Sequence, residues 1–351
     1  MPGLSKEVRD YRFGLMQGFM RAHGYDALAF TGSDWFEWIS NYGLHDQAFE
    51  RPFLLVVTAS GRSFALTSEL SRNPIAAQAQ RGAWWLDSVT HYAESPDKTR
   101  HRWVASQWRE MVTEALRGAG LNRARVAATS PSEWLNDAAK ALPGLELTRA
   151  NGELRNVRRV KHAEEIAMMR RCAAVTDWAL KVYREELRPG RLLSEVDHVV
   201  AARLVAEAAR RFPDNRFVVR GLKTISGRLA AGADGHGRID QVLESDSIAV
   251  TGLATRLEGL AMELARPWLV GSPDRRTLEL FECARAAQEA GIEAMVAGRP
   301  ISGIHQAAQR VFDDAGYGEV TVGLLIKEDI GFVIIVVAET CLFAMAEEWQ
   351  I

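Results

Sequence analysis

Residues 248–271 constrain the fold of this chain more than any other stretch. Residues 248–253 form an apolar run, and residues 255–259 have the composition of a glycine-containing turn. Beyond the turn, apolar side chains recur at every second position: Leu260, Met262 and Leu264. Period-two alternation next to such a turn predicts an antiparallel hairpin, with Glu263 on the face opposite to the Leu/Met row. A half-buried carboxylate needs a partner, because burying an unpaired charge is costly.

The nearest candidate partner in the sequence is His236. It lies in a segment with few side chains, next to three glycines: Gly232, Gly235 and Gly237. Such a segment allows a substrate or another backbone to approach closely. An imidazole titrates near neutrality and can transfer protons. The sequence therefore makes His236 a candidate proton-transfer residue, with a solvent-exposed loop histidine as the alternative.

Composition narrows the class of protein. A length of 351 residues predicts two domains, and 47% hydrophobic with 25% charged residues is typical of globular proteins. The net charge of −2 argues against bulk electrostatic binding to nucleic acid. The cysteines Cys172, Cys283 and Cys341 are widely spaced, which favours a reducing compartment. We find no apolar run long enough to span a bilayer, so we expect a cytoplasmic protein without a membrane partner.

The first part of the chain, residues 1–155, predicts an α/β domain because helical and strand patterns alternate along it. The helical patterns cover residues 5–23 and 104–117. The strand patterns follow the same order: 27–30, 52–57, 63–66, 83–86, 124–128 and 145–147.

The second part, residues 156–351, predicts an α+β domain. A helical stripe opens it, formed by Ile166, Met169, Ala173, Trp178 and Val182. Ser194 and Asp197 have the spacing of a capping box at the start of a second helix. Two further helices are expected over residues 274–296 and 302–315, after the hairpin.

Three stretches resemble the creatinase/prolidase/aminopeptidase P family, whose pita-bread (M24-like) domain is a curved antiparallel sheet covered by helices. Residues 259–266 are similar to its Gly-Tyr-x-x-(Asp/Glu)-x-x-Arg strand, and Gly235-His236 falls where the family carries a catalytic histidine. Residues 158–166 are similar to its domain junction. The resemblance implies an α/β N-terminal domain over 1–155 and a pita-bread domain over 156–351.

The resemblance also implies roles for five residues. A glutamate at position 263 is similar in style to metal-free creatinase, which implies His236, Glu263 and Glu339 as catalytic residues. Residues 48–52 resemble a creatinase segment that reaches the neighbouring subunit's site. Phe49 would pack on the substrate and Arg51 would bind its carboxylate, which implies a homodimer with shared sites.

Structural alternatives stay open for these residues. Glu263 could be a surface glutamate paired with Arg256 or Arg266, where such pairs contribute roughly 0–1 kcal/mol. Arg51 could be a solvated residue at the start of an edge strand, with Phe49 covering the core. Glu339 could be a strand-end carboxylate that faces solvent.

The sequence departs from the family's metallopeptidases at the expected metal ligands. Gly252 falls near the first aspartate, and Glu319 stands where a histidine is expected. Only residues 340–351 follow Glu339, so we expect the C-terminal part of the sheet to be shortened. We therefore expect no metal and no cofactor.

The resulting expectation is a metal-independent, creatinase-like hydrolase for a C–N bond of a small amidino or amino-acid-like substrate, with His236 as proton shuttle. The alternatives are a non-catalytic pita-bread relative that binds a peptide or protein, and a repurposed enzyme of specialised metabolism. An Xaa-Pro metallopeptidase is the last alternative.

Overall fold

A computed structural model describes residues 3–44, 51–93, 105–129, 131–227, 239–318, 323–327 and 332–336. The chain divides into two compact units, Met1–Ala167 and Met168–Ile351. The boundary at residue 155 remains a prediction, as does the shortened C-terminal sheet.

The first unit is built on a six-stranded mixed sheet in the order β4-β3-β2-β1-β5-β6. Its strands are β1 Ala27–Phe30, β2 Leu54–Thr58, β3 Ser63–Ser68, β4 Ser88–Tyr92, β5 Arg125–Ala128 and β6 Glu146–Arg149. The pairs β1–β2 and β2–β3 are antiparallel, while β3–β4, β1–β5 and β5–β6 are parallel. The predicted α/β architecture is confirmed.

Helices cover both faces of this sheet. They are α1 Lys6–His23, α2 Ser33–Ser40, α3 Arg72–Gln80, α4 Ala105–Gly118, α5 Glu133–Ala141 and α6 Asn151–Val157. Along β1, Leu28 and Phe30 belong to one core cluster, while Ala27 and Ala29 belong to the other. A strand buried on both faces is uniformly apolar rather than alternating, which explains its short apolar sequence. α1 ends at Gly24, whose left-handed backbone (φ 69°) caps the helix.

One strand was predicted wrongly in this unit. Residues 83–86 form no strand, and β4 begins later, at Ser88. Trp85 and Leu86 are nevertheless buried, with 2% and 6% of their surface exposed. This apolar run is therefore buried without pairing as a strand, because an irregular segment can also cover a core.

The second unit contains a separate antiparallel sheet in the order β7-β8-β9. Its elements are α7 Ala163–Glu186 (which begins before the boundary at residue 167), α8 Leu193–Arg211, β7 Phe217–Ser226, β8 Ser247–Leu257, β9 Leu260–Val270, α9 Arg275–Glu293 and α10 Ser302–Asp314. β10 Gly323–Lys327 and β11 Phe332–Val336 form a further antiparallel pair.

The helix α7 was predicted, but its buried face was misplaced. The buried residues include Met168, Cys172, Val175, Ala179 and Val182, whereas Ile166 is 40% exposed. Of the predicted stripe, Val182 alone lies in this set. The buried Glu165 in the first turn belongs to the same face, because its carboxylate pairs with Arg12.

The predicted capping box of the second helix is wrong. α8 begins at Leu193, and the Ser194 hydroxyl donates to the Ile239 carbonyl at 3.3 Å. The Asp197 carboxylate instead accepts the backbone N–H of Thr224 on β7 at 3.0 Å. Because Asp197 serves the neighbouring strand, it does not cap its own helix.

Candidate functional site

The hairpin predicted around residue 258 is formed by β8 and β9. Their antiparallel register runs from Ser247 opposite Val270 to Leu257 opposite Leu260. Glu258 and Gly259 make the turn, and both have left-handed backbone conformations with φ of 51° and 78°. Two successive positive φ values are the requirement of a type I′ turn, whose twist matches that of the strands. The turn is thus shorter than the predicted 255–259.

A glutamate at a left-handed position is held by its own side chain. The Glu258 carboxylate accepts the Asn215 side-chain amide at 3.0 Å and the Arg216 backbone N–H at 2.8 Å. The Glu258 backbone N–H donates to the Arg216 carbonyl at 3.0 Å. These bonds offset the cost of the unusual backbone and connect the turn to the start of β7.

One face of the sheet packs on helices. Thr255 lies on this face, and its hydroxyl is 2.9 Å from that of Thr176 on α7. The register places the Leu/Met row of β9 on the same side, because Met262 is the partner of Thr255. Glu263 is the partner of Ala254 and lies on the opposite face, in agreement with the alternation in the sequence.

This opposite face, called the open face below, has a bare centre with charged side chains around it. Its central part includes Gly221, Lys223, Gly252, Ala254, Arg256 and Glu263, all of which are half-buried or exposed. Gly221 pairs with Ala254, and Lys223 pairs with Gly252. A β-bulge between Val219 and Gly221 inserts Arg220 beside the Ala254–Glu263 pair. The open face is where the structure places Glu263.

A polar cluster holds β7 from the helix side. The Asp197 carboxylate accepts the Thr224 hydroxyl at 2.5 Å and the Tyr183 hydroxyl at 3.3 Å, besides the Thr224 N–H. Burial raises the pKa of Asp197, although the bonds from Thr224 and Tyr183 oppose that shift. Burial also raises the pKa of the Tyr183 hydroxyl, with Asp197 adding to the effect. Thr224 neighbours Lys223, so this cluster fixes the strand that carries Lys223.

Neither β7 nor this cluster was found by sequence reasoning. The bulge at Arg220 interrupts the two-residue period of β7, and Asp197 is 27 residues from Thr224. The aromatic and β-branched residues Phe217, Val218 and Val219 were the available strand signal.

The structure describes two of the five predicted site residues. Glu263 lies on the open face in the second unit, and Arg51 is half-buried just before β2 in the first unit. Tyr92 donates its hydroxyl to the carbonyl of Pro52, the next residue, at 2.8 Å. Phe49, His236 and Glu339 lie outside the described residues, so their roles remain predictions.

Two family models match the chain, one after the other. Residues 12–160 match the creatinase/prolidase N-terminal domain, and residues 167–332 match metallopeptidase family M24. The architecture they define is an α/β N-terminal domain followed by a pita-bread domain, which confirms the predicted fold class. This chain therefore belongs to the creatinase/prolidase (M24) family.

Similar curated proteins include Xaa-Pro dipeptidases. The Xaa-Pro dipeptidase of Pyrococcus horikoshii is 21% identical over 201 residues, 57% of this chain and 55% of that protein. The Xaa-Pro dipeptidase of Lactobacillus delbrueckii subsp. lactis is 26% identical over 167 residues, 47% of this chain and 43% of that protein. The matched stretch thus spans about half the length of these relatives.

Solved structures share the fold over most of the chain. A Pyrococcus horikoshii dipeptidase has a TM-score of 0.71 at 19% identity, covering 89% of this chain and 80% of its own. Dipeptidase PepE from Mycobacterium ulcerans has a TM-score of 0.71 at 22% identity, covering 92% and 81%. The N-terminal domain of the FACT subunit SPT16 from Cicer arietinum has a TM-score of 0.62 at 18% identity, covering 87% and 76%.

These findings correct the predicted function. The expected metal-independent, creatinase-like hydrolase is wrong, since the relatives are Xaa-Pro dipeptidases and the matched family is one of metallopeptidases. The error arose at Glu263. Its strand motif accepts either aspartate or glutamate, and both present a carboxylate, so a glutamate there does not separate creatinase from the peptidases.

The family name implies a metal, and the described residues do not fit one. Within the described ranges, no group of three His, Cys, Asp or Glu side chains could hold a metal ion. On the open face Glu263 offers one carboxylate, and Gly252 offers no donor. A catalytic zinc site takes three protein ligands. We derive no chemical step through a metal.

No helix in the part of the chain that the structure describes is both long and apolar enough to cross a bilayer.

Proposed function

We propose that this chain is a peptidase that hydrolyses the amide bond of dipeptides or similarly small amino-acid amides. The match to metallopeptidase family M24 over residues 167–332 carries this proposal, because that range contains the whole of the β7–β9 sheet. The relatives named Xaa-Pro dipeptidases add the substrate class.

The open face supports the proposal physically. Gly252 and Ala254 leave the middle strand without bulky side chains, so a peptide can approach the backbone closely. Glu263 presents a carboxylate beside this bare strand, and it remains partly exposed to a ligand. Glu263 is therefore the described residue we assign to the site, with His236 and Glu339 as further proposed members.

Two expectations belong to the same proposal. Phe49 and Arg51 would bind the substrate from a second subunit of a homodimer, with Arg51 holding the carboxylate through a bidentate guanidinium. Sedimentation velocity tests the dimer, and an Arg51→Lys variant tests the guanidinium, since lysine keeps the charge and loses the fork. The cytoplasmic location stays a prediction.

The test is release of free amino acids from a panel of dipeptides that includes Ala-Pro, Ala-Ala and Pro-Ala. Each is assayed with the protein as purified, with added Mn²⁺, Co²⁺ or Zn²⁺, and with a chelator. We expect turnover of at least one dipeptide, a large loss in Glu263→Gln, and full activity in Glu195→Gln, an exposed glutamate on α8. A folded protein that cleaves no dipeptide under any of these conditions would overturn the proposal.

A further inference from the structure

The charged residues of the open face lie on successive levels of the sheet. Lys223 on β7 is level with Gly252, and Glu263 on β9 is level with Ala254. Arg256 on β8 lies one level further along. Residues on one face of a strand recur every second position, so adjacent levels are about 6.7 Å apart. Glu263 thus has a basic side chain on the level above it and another on the level below it.

The middle strand carries only small residues, Gly252 and Ala254, at the levels of Lys223 and Glu263. Neighbouring strands lie about 4.8 Å apart and the two levels about 6.7 Å apart, so the backbones of these two residues lie about 12 Å apart diagonally across β8. Among the residues that the structure describes, a methyl group added at Gly252 would meet nothing closer than the Lys223 carbonyl oxygen at 3.8 Å. A ligand that lies over Gly252 and Ala254 therefore meets little but backbone on the sheet.

The length of this arrangement matches a dipeptide. Two residues of extended chain span at most about 7 Å, and a hydrogen bond of about 2.8 Å at each end extends this reach to about 12–13 Å. The middle strand carries an arginine at the Arg256 level and a glycine at the Lys223 level. A carboxylate therefore has more room beside Lys223 than beside Arg256.

We propose that the open face recognises both charged ends of a dipeptide, with Glu263 binding the α-ammonium group and Lys223 binding the carboxylate. The bulge at Arg220 lies beside the Glu263 level, and bulges bend a strand and re-aim its side chains. The inference rests on the proposed dipeptide substrate and adds the residues that select for the length of the peptide. A longer peptide places its carboxylate beyond the Lys223 level.

The test uses a ligand that cannot be cleaved. In the ketomethylene isostere of Ala-Ala, a CH₂ group replaces the amide nitrogen, and its N-acetyl and C-terminal amide forms each lack one charge. Isothermal titration with the full chain should show the zwitterion binding at least about tenfold more tightly than either derivative, the factor expected for loss of a hydrogen bond to a charged group.

The variants assign each charge to one residue. Lys223→Met should weaken the zwitterion about tenfold and leave the amide derivative unchanged, because the amide has no charge to lose. Glu263→Gln should weaken binding of the zwitterion about tenfold and leave binding of the N-acetyl derivative unchanged, because that derivative has no ammonium charge to lose. Arg266→Met is the matched control, since Arg266 is on the same strand as Glu263 and pairs with Thr251 on the other face. It should leave all three affinities unchanged.

The outcomes separate this inference from the proposed function. Charge discrimination that follows Lys223 and Glu263 supports the inference even if no dipeptide is cleaved, in which case the proposed function fails alone. Cleavage of dipeptides with equal binding of the three ligands overturns the inference alone. Undetectable binding by the wild-type protein, or loss of carboxylate recognition in Arg256→Met instead of Lys223→Met, also overturns it.

Discussion

The ion pair between Arg12 on α1 and Glu165 on α7 should be the largest single polar contribution to the stability of the first unit. Arg12 and Glu165 are 2% and 1% exposed. Arg12 donates Nε and Nη2 to one Glu165 oxygen at 3.0 and 2.7 Å, and the other oxygen accepts the His162 N–H at 2.7 Å. Arg12 Nη1 donates to the Trp38 carbonyl at 2.5 Å. Burial lowers the pKa of Arg12, and Glu165 opposes that shift.

Removing either partner leaves the other charge buried without compensation. That situation costs about 3–5 kcal/mol. We therefore expect Glu165→Gln and Arg12→Met each to lower the free energy of unfolding by about that amount. The double variant removes both charges, and the glutamine can still accept the His162 N–H. Its main loss is the donor to Trp38, about 1–3 kcal/mol. The double variant should thus be about as stable as each single variant, or more stable. If the losses of the two single variants simply added, the double variant would instead lose about 6–10 kcal/mol.

The assay is urea unfolding of the four proteins, followed by tryptophan fluorescence and circular dichroism. The guanidinium of Arg12 lies 5.0 Å from the ring of Trp38 and 5.3 Å from that of Trp85, so fluorescence reports this region directly. Asp10→Asn on α1 is the control, because its 2.9 Å pair with Arg9 is exposed and should contribute less than about 1 kcal/mol. Single variants that cost less than about 1 kcal/mol, or losses that simply add, would refute the reasoning.

Asp197→Asn should alter the pH dependence of stability. Burial raises the folded pKa of Asp197, so its contribution to stability is largest below the unfolded pKa of about 3.9 and is lost as pH rises through the folded pKa. In urea unfolding, the free energy of unfolding of the variant should therefore increase relative to that of the wild type as pH rises. A difference that stays constant with pH would contradict this. Gly252→Asp adds a second carboxylate near Glu263, at a position with room for a side chain. Titration should show the variant binding Mn²⁺ at least about tenfold more tightly than the wild type does. Equal affinities would count against the placement of Glu263 near residue 252. Gly259→Ala forces a Cβ into φ 78° and should cost about 1–2 kcal/mol in urea unfolding. Gly221→Ala is its near-neutral control, because no atom of the described part of the chain lies within 4 Å of the added Cβ.

Local patterns were sufficient where a contact is made by neighbours in the chain. The alternation after residue 259 predicted the β8–β9 hairpin and the face of Glu263, because side chains of a strand point alternately to its two sides. The helix ending at Gly24 was predicted for a similar reason, since a left-handed glycine stops a helix within one turn.

The same reasoning failed where a residue had a distant partner. The helix α7 was predicted with the wrong face because its first turn contains Glu165, a residue that local patterns assign to solvent. Arg12 buries that carboxylate from 153 residues away. Asp197 looked like a helix cap, and the fold used it to hold a strand that sequence periodicity did not reveal.

The sequence by itself determined the family and most of the helices and strands, because both depend on residues close together in the chain. The tertiary structure alone decided which carboxylates are paired and which stand beside accessible backbone. Glu165 and Asp197 gained buried partners, while Glu263 came to lie beside Ala254, one level from Gly252 and Lys223. Such neighbours are set by strand register and helix packing, and a carboxylate has the same local pattern in either case.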